Sequence, residues 1–239
     1  MDRISLGARP APIEIDFTRT AVIVVDMQND FGSEGGMFHR AGLDISGIQQ
    51  ATAQCAKVLP MARAAGAKIV YLKMGYRPDL ADAGPEGAPS RVLHDRMGVG
   101  QTVAVPGGAG RILIRGDWGT EIVEALKPQP GDVEVWKHRY SGFFETELDQ
   151  LLRTWGIQQL LVIGCTTSVC VESTIRDAFF RDYQTVLLED CAAEPLGSST
   201  ARSNHEATLH VVEVMLGWVS SSEQLAGALA RAKPEATAA

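Results

Sequence analysis

The feature that most constrains this chain is a set of short runs rich in Val, Ile and Leu that are apolar on both faces. A strand of this kind needs cover on both sides, as in the centre of a parallel sheet with helices above and below it. We therefore expect buried strands at these positions. The runs are Ala21–Val25, Lys68–Leu72, Val133–Trp136, Leu160–Ile163 and Thr185–Leu188, with a weaker one at Arg111–Ile114.

Segments with the apolar periodicity of helices separate these runs. Strands that alternate with helices form βαβ units, and such units build a mostly parallel sheet. We therefore predict an α/β fold with one domain over residues 1–232, a parallel-sheet sandwich flanked by helices in three layers. The helical segments are Ile48–Ala65, Thr120–Leu126, Glu145–Trp155, Val171–Arg181 and Ser203–Leu216, and Gly66, Gly131 and Gly156 mark turns before strands.

Two segments lie outside this alternation. Arg77–Gly110 is rich in Gly, Pro, Asp and Ser, and it is too long for a passive connection. Loops of that length in a compact domain are usually lids or binding loops, so we expect this one to contribute to a site. Lys233–Ala239 is expected to be a flexible tail.

The composition narrows the classes of partner. A net charge of −7 argues against nucleic acid and anionic membrane surfaces. The first residues contain no apolar leader segment, and no run approaches the roughly twenty apolar residues of a membrane span. The four cysteines have no zinc-type spacing. These features predict a reduced cytoplasmic protein. A small molecule is the expected partner, and no cofactor is expected.

Three reactive side chains follow predicted strands. Asp26 comes directly after AVIVV, Lys137 after VEVW, and Cys170 follows LLVIG by a short turn and opens a helix. Ligands of open parallel sheets bind beyond the carboxyl ends of the strands. We therefore expect a carboxylate, an ammonium and a thiol to converge at one edge of the sheet.

Each of these residues also has a plainer interpretation. Asp26 could be a helix N-cap, Lys137 a solvated charge, and Cys170 a small buried side chain. Together they favour a nucleophile, because a helix N-terminus beside a cation lowers a thiol pKa. The other thiols are poorer candidates: Cys55 and Cys165 fall in apolar patterns, and Cys191 follows two acidic residues.

Three motifs, VVDMQNDF, WKHRYSGFFETELD and GCTTSVCVESTIRDAFFRDY, resemble those of the isochorismatase-like cysteine hydrolases. The likeness runs from about Thr20 to the end of the folded chain. RYSGFF, CVEST and the later GWVS are similar to the ureidoacrylate amidohydrolase branch. GYRPDLAD resembles the biuret and triuret hydrolases.

The resemblance implies a catalytic triad of Asp26, Lys137 and Cys170. It also implies a cis peptide between Cys165 and Thr166, and an oxyanion hole formed by the backbone N–H groups of Thr166 and Cys170. The implied activity is hydrolysis of a C–N bond in a small ureido or carbamoyl compound, through a thioester on Cys170. Relatives form dimers or tetramers, so a homodimer or homotetramer is expected.

Candidate substrate contacts are less closely defined. Asn29 could bind a carbamoyl group, Tyr140 could offer a hydroxyl above the pocket, and Tyr76 and Arg77 begin the long loop. Glu213, a position where the ureidoacrylate branch also carries Glu, is either a ligand or a solvated helix charge. Four aromatic residues could be pocket wall, although core is favoured; these are Phe38, Trp118, Phe143 and Phe144.

Several alternatives remain open at this stage. A biuret or triuret amidohydrolase that releases ammonia is the nearest, and a binding or scaffold protein that retained the fold is the non-enzymatic one.

Other classes fit the sequence less well. Strict isochorismatases do not need the cysteine, and a dinucleotide enzyme would need a Gly-x-Gly-x-x-Gly turn where DMQNDF stands. Nicotinamidases carry metal-binding histidine after the second strand, whereas YLKMGYRPDLAD has none, so no metal is predicted. Met74 is apolar where the ureidoacrylate branch has a polar residue.

Overall fold

The computed structural model describes residues 3–197 and 200–232. Its centre is a sheet of six strands in the order β10-β9-β8-β3-β4-β7, and all neighbouring strands are parallel. Two antiparallel hairpins, β1-β2 and β5-β6, lie beside it. The strands are β1 Arg3–Leu6, β2 Ile13–Asp16, β3 Thr20–Val25, β4 Lys68–Met74, β5 Thr102–Val105, β6 Gly108–Arg111, β7 Val133–Lys137, β8 Gln159–Cys165, β9 Gln184–Ala193 and β10 Trp218–Ser220.

Helices cover both faces of the sheet, as the two-sided apolar runs predict. Along β3, Val22 and Val24 pack towards α3 and α8, whereas Ile23 and Val25 pack towards α5 and α6. This alternation of side chains places one apolar core on each face. The helices are α1 Asn29–Gly32, α2 Met37–Arg40, α3 Ser46–Ala65, α4 Pro89–Arg96, α5 Leu148–Thr154, α6 Glu172–Phe179, α7 Asn204–Val211 and α8 Ser222–Ala232.

The remaining helical segments are short turns of other types. Trp118–Thr120, Glu124–Leu126 and Phe17–Arg19 are 3₁₀ turns. Thr167–Val171 and Val212–Leu216 are π-helical turns, which lead into α6 and follow α7 respectively. In the described part of the chain, no helix has both the length and the apolar character needed to cross a membrane.

Two predicted elements are wrong. Thr120–Leu126 is not one helix, because the backbone N–H of Val123 and the carbonyl of Glu121 pair with the segment after β3 instead. Arg111–Ile114 is not a sheet strand, since only Arg111 belongs to a strand, in the small β5-β6 hairpin. Strands β1, β2, β5 and β10 were not predicted, and of β6 only Arg111 lay in a predicted strand. The predicted tail, Lys233–Ala239, lies outside the described residues.

The predicted lid segment, Arg77–Gly110, is partly structured. It contains α4 and β5, and it connects β4 to the hairpin strand β6. Strand β4 ends directly before it, at the carboxyl edge of the sheet. This placement brings the segment to the edge where the reactive side chains were expected.

Candidate active site

The register of the sheet brings the three strand-end residues together. Val25, the last residue of β3, pairs with Leu72 of β4 and with Gly164 of β8. Lys137 ends β7 and pairs with Met74 of β4. Asp26, which follows Val25, therefore lies between the ends of its neighbouring strands, with Lys137 one strand further along.

Asp26 and Lys137 form a buried ion pair. Asp26 Oδ2 lies 2.7 Å from Lys137 Nζ, and neither side chain is more than 1% exposed. The N–H of Met74 donates to the other carboxylate oxygen at 3.1 Å, and Lys137 Nζ donates to the carbonyl of Arg139 at 3.2 Å. These bonds stabilise the pair, because burial of a charge without partners costs roughly several kcal/mol of folding free energy.

Cys170 lies in the π-helical turn Thr167–Val171, two residues before α6 begins at Glu172. The sequence predicted that Cys170 would be the first residue of the α-helix. In the structure a π-helical turn carries Cys170 instead, and the α-helix begins after it. Turns of this kind are frequent at functional sites. The N–H of Ser168 in the same turn donates to Glu194 at 2.9 Å, which ties the turn to the segment after β9.

The expected lowering of the Cys170 pKa is wrong. Burial raises the pKa of the Cys170 thiol, and the Asp26 carboxylate raises it further, while Lys137 acts in the opposite direction. Burial also raises the pKa of Asp26, an effect that Lys137 offsets in part. The resting site is therefore a neutral thiol beside a carboxylate–ammonium pair, and the carboxylate is a stronger base than an exposed aspartate.

The peptide between Cys165 and Thr166 is cis, as the resemblance implied. Thr166 and Cys170 both line a cavity of about 100 Å³ at the carboxyl edge of the sheet. Most of its wall is apolar. The lining residues are Phe31, Met37, Phe38, Met74, His94, Met97, Leu113, Tyr140, Thr166, Val169, Cys170 and Leu196.

Of the five predicted substrate residues, the structure brings only Tyr140 to this cavity. The amide of Asn29 is already used inside the protein, because it donates to the carbonyl of Trp118 at 2.9 Å and accepts from Ser33 at 2.9 Å. Tyr76 is fully buried behind the wall, where its hydroxyl lies 2.7 Å from Nδ1 of His94. The interpretations of Asn29 and Tyr76 as direct contacts are corrected accordingly.

Arg77 and Glu213 lie away from the cavity. Arg77 points to the surface and pairs with Asp79 at 3.1 Å. Glu213 pairs with Arg9 at 3.1 Å, and Arg9 also pairs with Glu189 at 2.8 Å. The carboxylate of Glu213 is therefore part of a partly exposed ion-pair network.

The candidate aromatic residues lie in different places, and only Phe38 reaches the cavity. Phe38 lines the cavity, while Phe143 packs in the core between the sheet and α5. Phe144 is largely exposed. Sequence reasoning missed His94, although it is the only histidine of the segment that had been predicted to bind substrate. The apolar wall residues gave no signal, because single Met, Leu and Phe residues look like core in a sequence.

In residues 3–197 and 200–232, no three His, Cys, Asp or Glu side chains are grouped closely enough to hold a metal ion.

The fold and the site together define an α/β protein with a buried Asp–Lys pair beside a cavity-facing thiol. The chain belongs to the isochorismatase domain family, whose sequence model matches residues 20–224. This match covers all six strands of the central sheet and all three residues of the candidate site.

The chain is similar over most of its length to one ureidoacrylate amidohydrolase and to two solved structures. A ureidoacrylate amidohydrolase, RutB, from Agrobacterium fabrum is 42% identical over 231 residues, which make up 97% of this chain and 99% of that protein. The crystal structure of a cysteine hydrolase from Pseudomonas syringae pv. phaseolicola is 32% identical with a TM-score of 0.74, covering 92% of this chain and 96% of that one. N-carbamoylsarcosine amidase from Thermoplasma acidophilum is 26% identical with a TM-score of 0.62, covering 86% and 97% of the two chains.

Proposed function

We propose that this chain is a cysteine amidohydrolase that cleaves a C–N bond of a small ureido or carbamoyl compound of the ureidoacrylate type. The observation that carries the proposal is the Cys170 thiol in the cavity wall next to the buried Asp26–Lys137 pair. Two relatives are named for ureidoacrylate and N-carbamoylsarcosine, and each of these substrates contains a ureido group.

The first half of the reaction forms a thioester. Asp26 accepts the proton of the Cys170 thiol as Sγ attacks the ureido carbonyl carbon. The C–N bond then breaks, and the leaving nitrogen takes the proton from Asp26. Lys137 keeps the carboxylate in position and stabilises the negative charge while the proton is absent from it.

The second half consumes one water molecule. Asp26 takes a proton from water, the hydroxide attacks the thioester carbon, and the C–S bond breaks. The thiolate of Cys170 then recovers the proton from Asp26. The released carbamic acid decomposes to carbon dioxide and an amine, so complete hydrolysis of a monosubstituted urea yields carbon dioxide, ammonia and the substituted amine, whichever nitrogen leaves first.

Both steps place negative charge on the carbonyl oxygen. The backbone N–H groups of Thr166 and Cys170 are the proposed donors to that oxygen, since both residues border the cavity. Loss of one such donor typically costs on the order of a hundredfold in rate.

The test measures carbon dioxide and ammonia released from ureidoacrylate, N-carbamoylsarcosine, biuret, triuret and nicotinamide. We expect turnover of a ureido compound by the native chain, and a loss of about a thousandfold or more in Cys170→Ala. Acid-quenched native enzyme should carry a covalent adduct on the peptide that contains Cys170. Near-native turnover by Cys170→Ala would overturn the proposal, and so would the absence of turnover of every compound.

A further inference from the structure

Met74 connects the cavity wall to the buried Asp26–Lys137 pair. It ends β4 and is the register partner of Lys137, which ends β7. Register partners on neighbouring strands direct their side chains to the same face of the sheet. The side chain of Met74 lines the cavity, and its Sδ atom lies 3.7 Å from Lys137 Nζ, within hydrogen-bond distance for sulfur. Met74 is therefore both a wall residue and a partner of the ammonium.

The backbone of Met74 is fixed by two residues that follow β3. Its N–H donates to Oε1 of Gln28 at 2.8 Å and to Oδ1 of Asp26 at 3.1 Å, and its carbonyl accepts from Nε2 of Gln28 at 2.9 Å. Gln28 is fully buried, and Met74 is 2% exposed. A closely packed side chain on a fixed backbone stays in one rotamer, so the thioether is held beside the ammonium.

The bond to Met74 completes the hydrogen bonds of Lys137. A lysine ammonium has three N–H donors. The acceptors around Nζ are Asp26 Oδ2 at 2.7 Å, the carbonyl of Arg139 at 3.2 Å and Met74 Sδ at 3.7 Å. The carboxylate is charged and the thioether is a weak acceptor, so the bond to Met74 is the one that the ammonium gives up at least cost.

The sulfur of Cys170 competes for the same N–H. Burial raises the pKa of this thiol, while Lys137 lowers it and the carboxylate of Asp26 raises it further. Cys165 and Tyr140 also interact with the sulfur, but burial raises the pKa of both, so neither is ionised near neutral pH. A neutral thiol is a weak acceptor, whereas a thiolate accepts more strongly than a thioether because it is charged.

We infer that Met74 is a positioning residue whose thioether holds one N–H of Lys137 in the resting site and yields that N–H to the sulfur of Cys170 when the thiolate forms. In this step the proton of Sγ moves to the carboxylate of Asp26, and Lys137 keeps its three protons. The carboxylate partner of the ammonium is neutralised as the thiolate charge appears, and this favours the exchange. The inference rests on the proposed amidohydrolase function and adds how its nucleophile is stabilised.

Two replacements of similar length test the exchange through alkylation of Cys170 by iodoacetamide near neutral pH. Met74→Leu conserves volume and removes the acceptor, so the N–H is available to the sulfur at rest. We expect labelling to become about threefold faster. Met74→Gln offers a carbonyl, a stronger acceptor, and should make labelling about threefold slower. If Met74 were only part of the cavity wall, the two variants would not change the rate in opposite directions.

The double variant with Asp26→Asn and Lys137→Met is the matched background, because it has no ammonium. In that background, Met74→Leu and Met74→Gln should each leave the labelling rate within about twofold. Changes in the same direction in both single variants, or equal changes in the background, would overturn the inference. Opposite changes in labelling, with no turnover of any ureido or carbamoyl compound by the native chain, would overturn the proposed function alone.

Discussion

Asp26 Oδ2 lies 2.7 Å from Lys137 Nζ, in a position where neither side chain is more than 1% exposed. Such a pair is stable only as a pair, because each charge compensates the desolvation of the other. The consequence is that stability and activity respond differently to removal of one partner and removal of both.

Lys137→Met should abolish turnover and lower the free energy of unfolding by about 3 kcal/mol, since it leaves Asp26 without its cation. The folded-state pKa of Asp26, already raised by burial, should rise further. The unfolded carboxyl ionises at about pH 4, below the folded one, so the loss of stability should be small in acid and grow as the pH rises above that value. Urea unfolding at several pH values measures this loss in the free energy of unfolding.

The double variant with Asp26→Asn and Lys137→Met is the matched control. It removes both charges, so it should recover part of the lost stability and lose the pH dependence of the deficit, while remaining inactive. A double variant that is less stable than Lys137→Met would contradict the pairing.

Asp26→Asn alone should make Cys170 more reactive towards iodoacetamide while turnover disappears. The carboxylate raises the pKa of the thiol and Lys137 lowers it, so removal of the carboxylate lowers the thiol pKa and increases the thiolate fraction at a given pH. The rate of labelling, followed by mass spectrometry of the Cys170 peptide, should rise at lower pH than in the native chain. An unchanged profile would show that Asp26 does not act on the thiol.

We expect Glu194 to hold the turn Thr167–Val171, which carries Cys170, in position. Its carboxylate accepts the N–H of Ser168 at 2.9 Å and the N–H of Leu196 at 2.9 Å, so it joins the turn that carries Cys170 to the cavity wall. Glu194→Ala should lower kcat by about tenfold through misplacement of the thiol.

The control for this variant is Glu206→Ala, which removes the capping box with Ser203 at the start of α7. It should cost about 1 kcal/mol of stability, as capping losses do, and leave kcat within about twofold. Equal kcat losses in both variants would show that general destabilisation, and not the turn, explains the effect.

Glu213→Gln and Arg77→Ala should leave kcat/KM within about twofold, and each should lower the free energy of unfolding by about 1 kcal/mol or less, because both residues belong to partly exposed ion pairs. Steady-state kinetics and thermal unfolding measure the two effects. A large rise in KM in either variant would place that side chain at the substrate.

The strand ends were predictable because the strands themselves are. Strands β3 and β8 are buried along their whole length, at Thr20–Val25 and Gln159–Cys165. Runs of Val, Ile and Leu that are apolar on both faces are typical of such buried parallel strands. Once parallel strands are assigned, the residues that follow them must meet at one edge, which is why the convergence of Asp26, Lys137 and Cys170 followed from the sequence.

The contacts made by loops were not predictable in the same way. Asn29 and Tyr76 follow strands too, but hydrogen bonds to Trp118 and His94, 89 and 18 residues further along the chain, direct their side chains away from the cavity. The orientation of a loop side chain depends on partners that are distant in sequence and carry no periodic signal. The thiol pKa was mispredicted for a related reason, since it depends on burial in the folded chain and not on sequence neighbours.

The division of the site between the sheet edge and α4 has an evolutionary consequence. The groups proposed to break the C–N bond belong to the core, where almost any substitution disturbs packing, whereas His94 and Met97 belong to a connecting segment between β4 and β6. Connecting segments tolerate exchange and changes in length far better than buried strands do. A lineage with this architecture could acquire a new substrate by replacing that one segment, and grafting it between members of the family would transfer specificity without rebuilding the reaction.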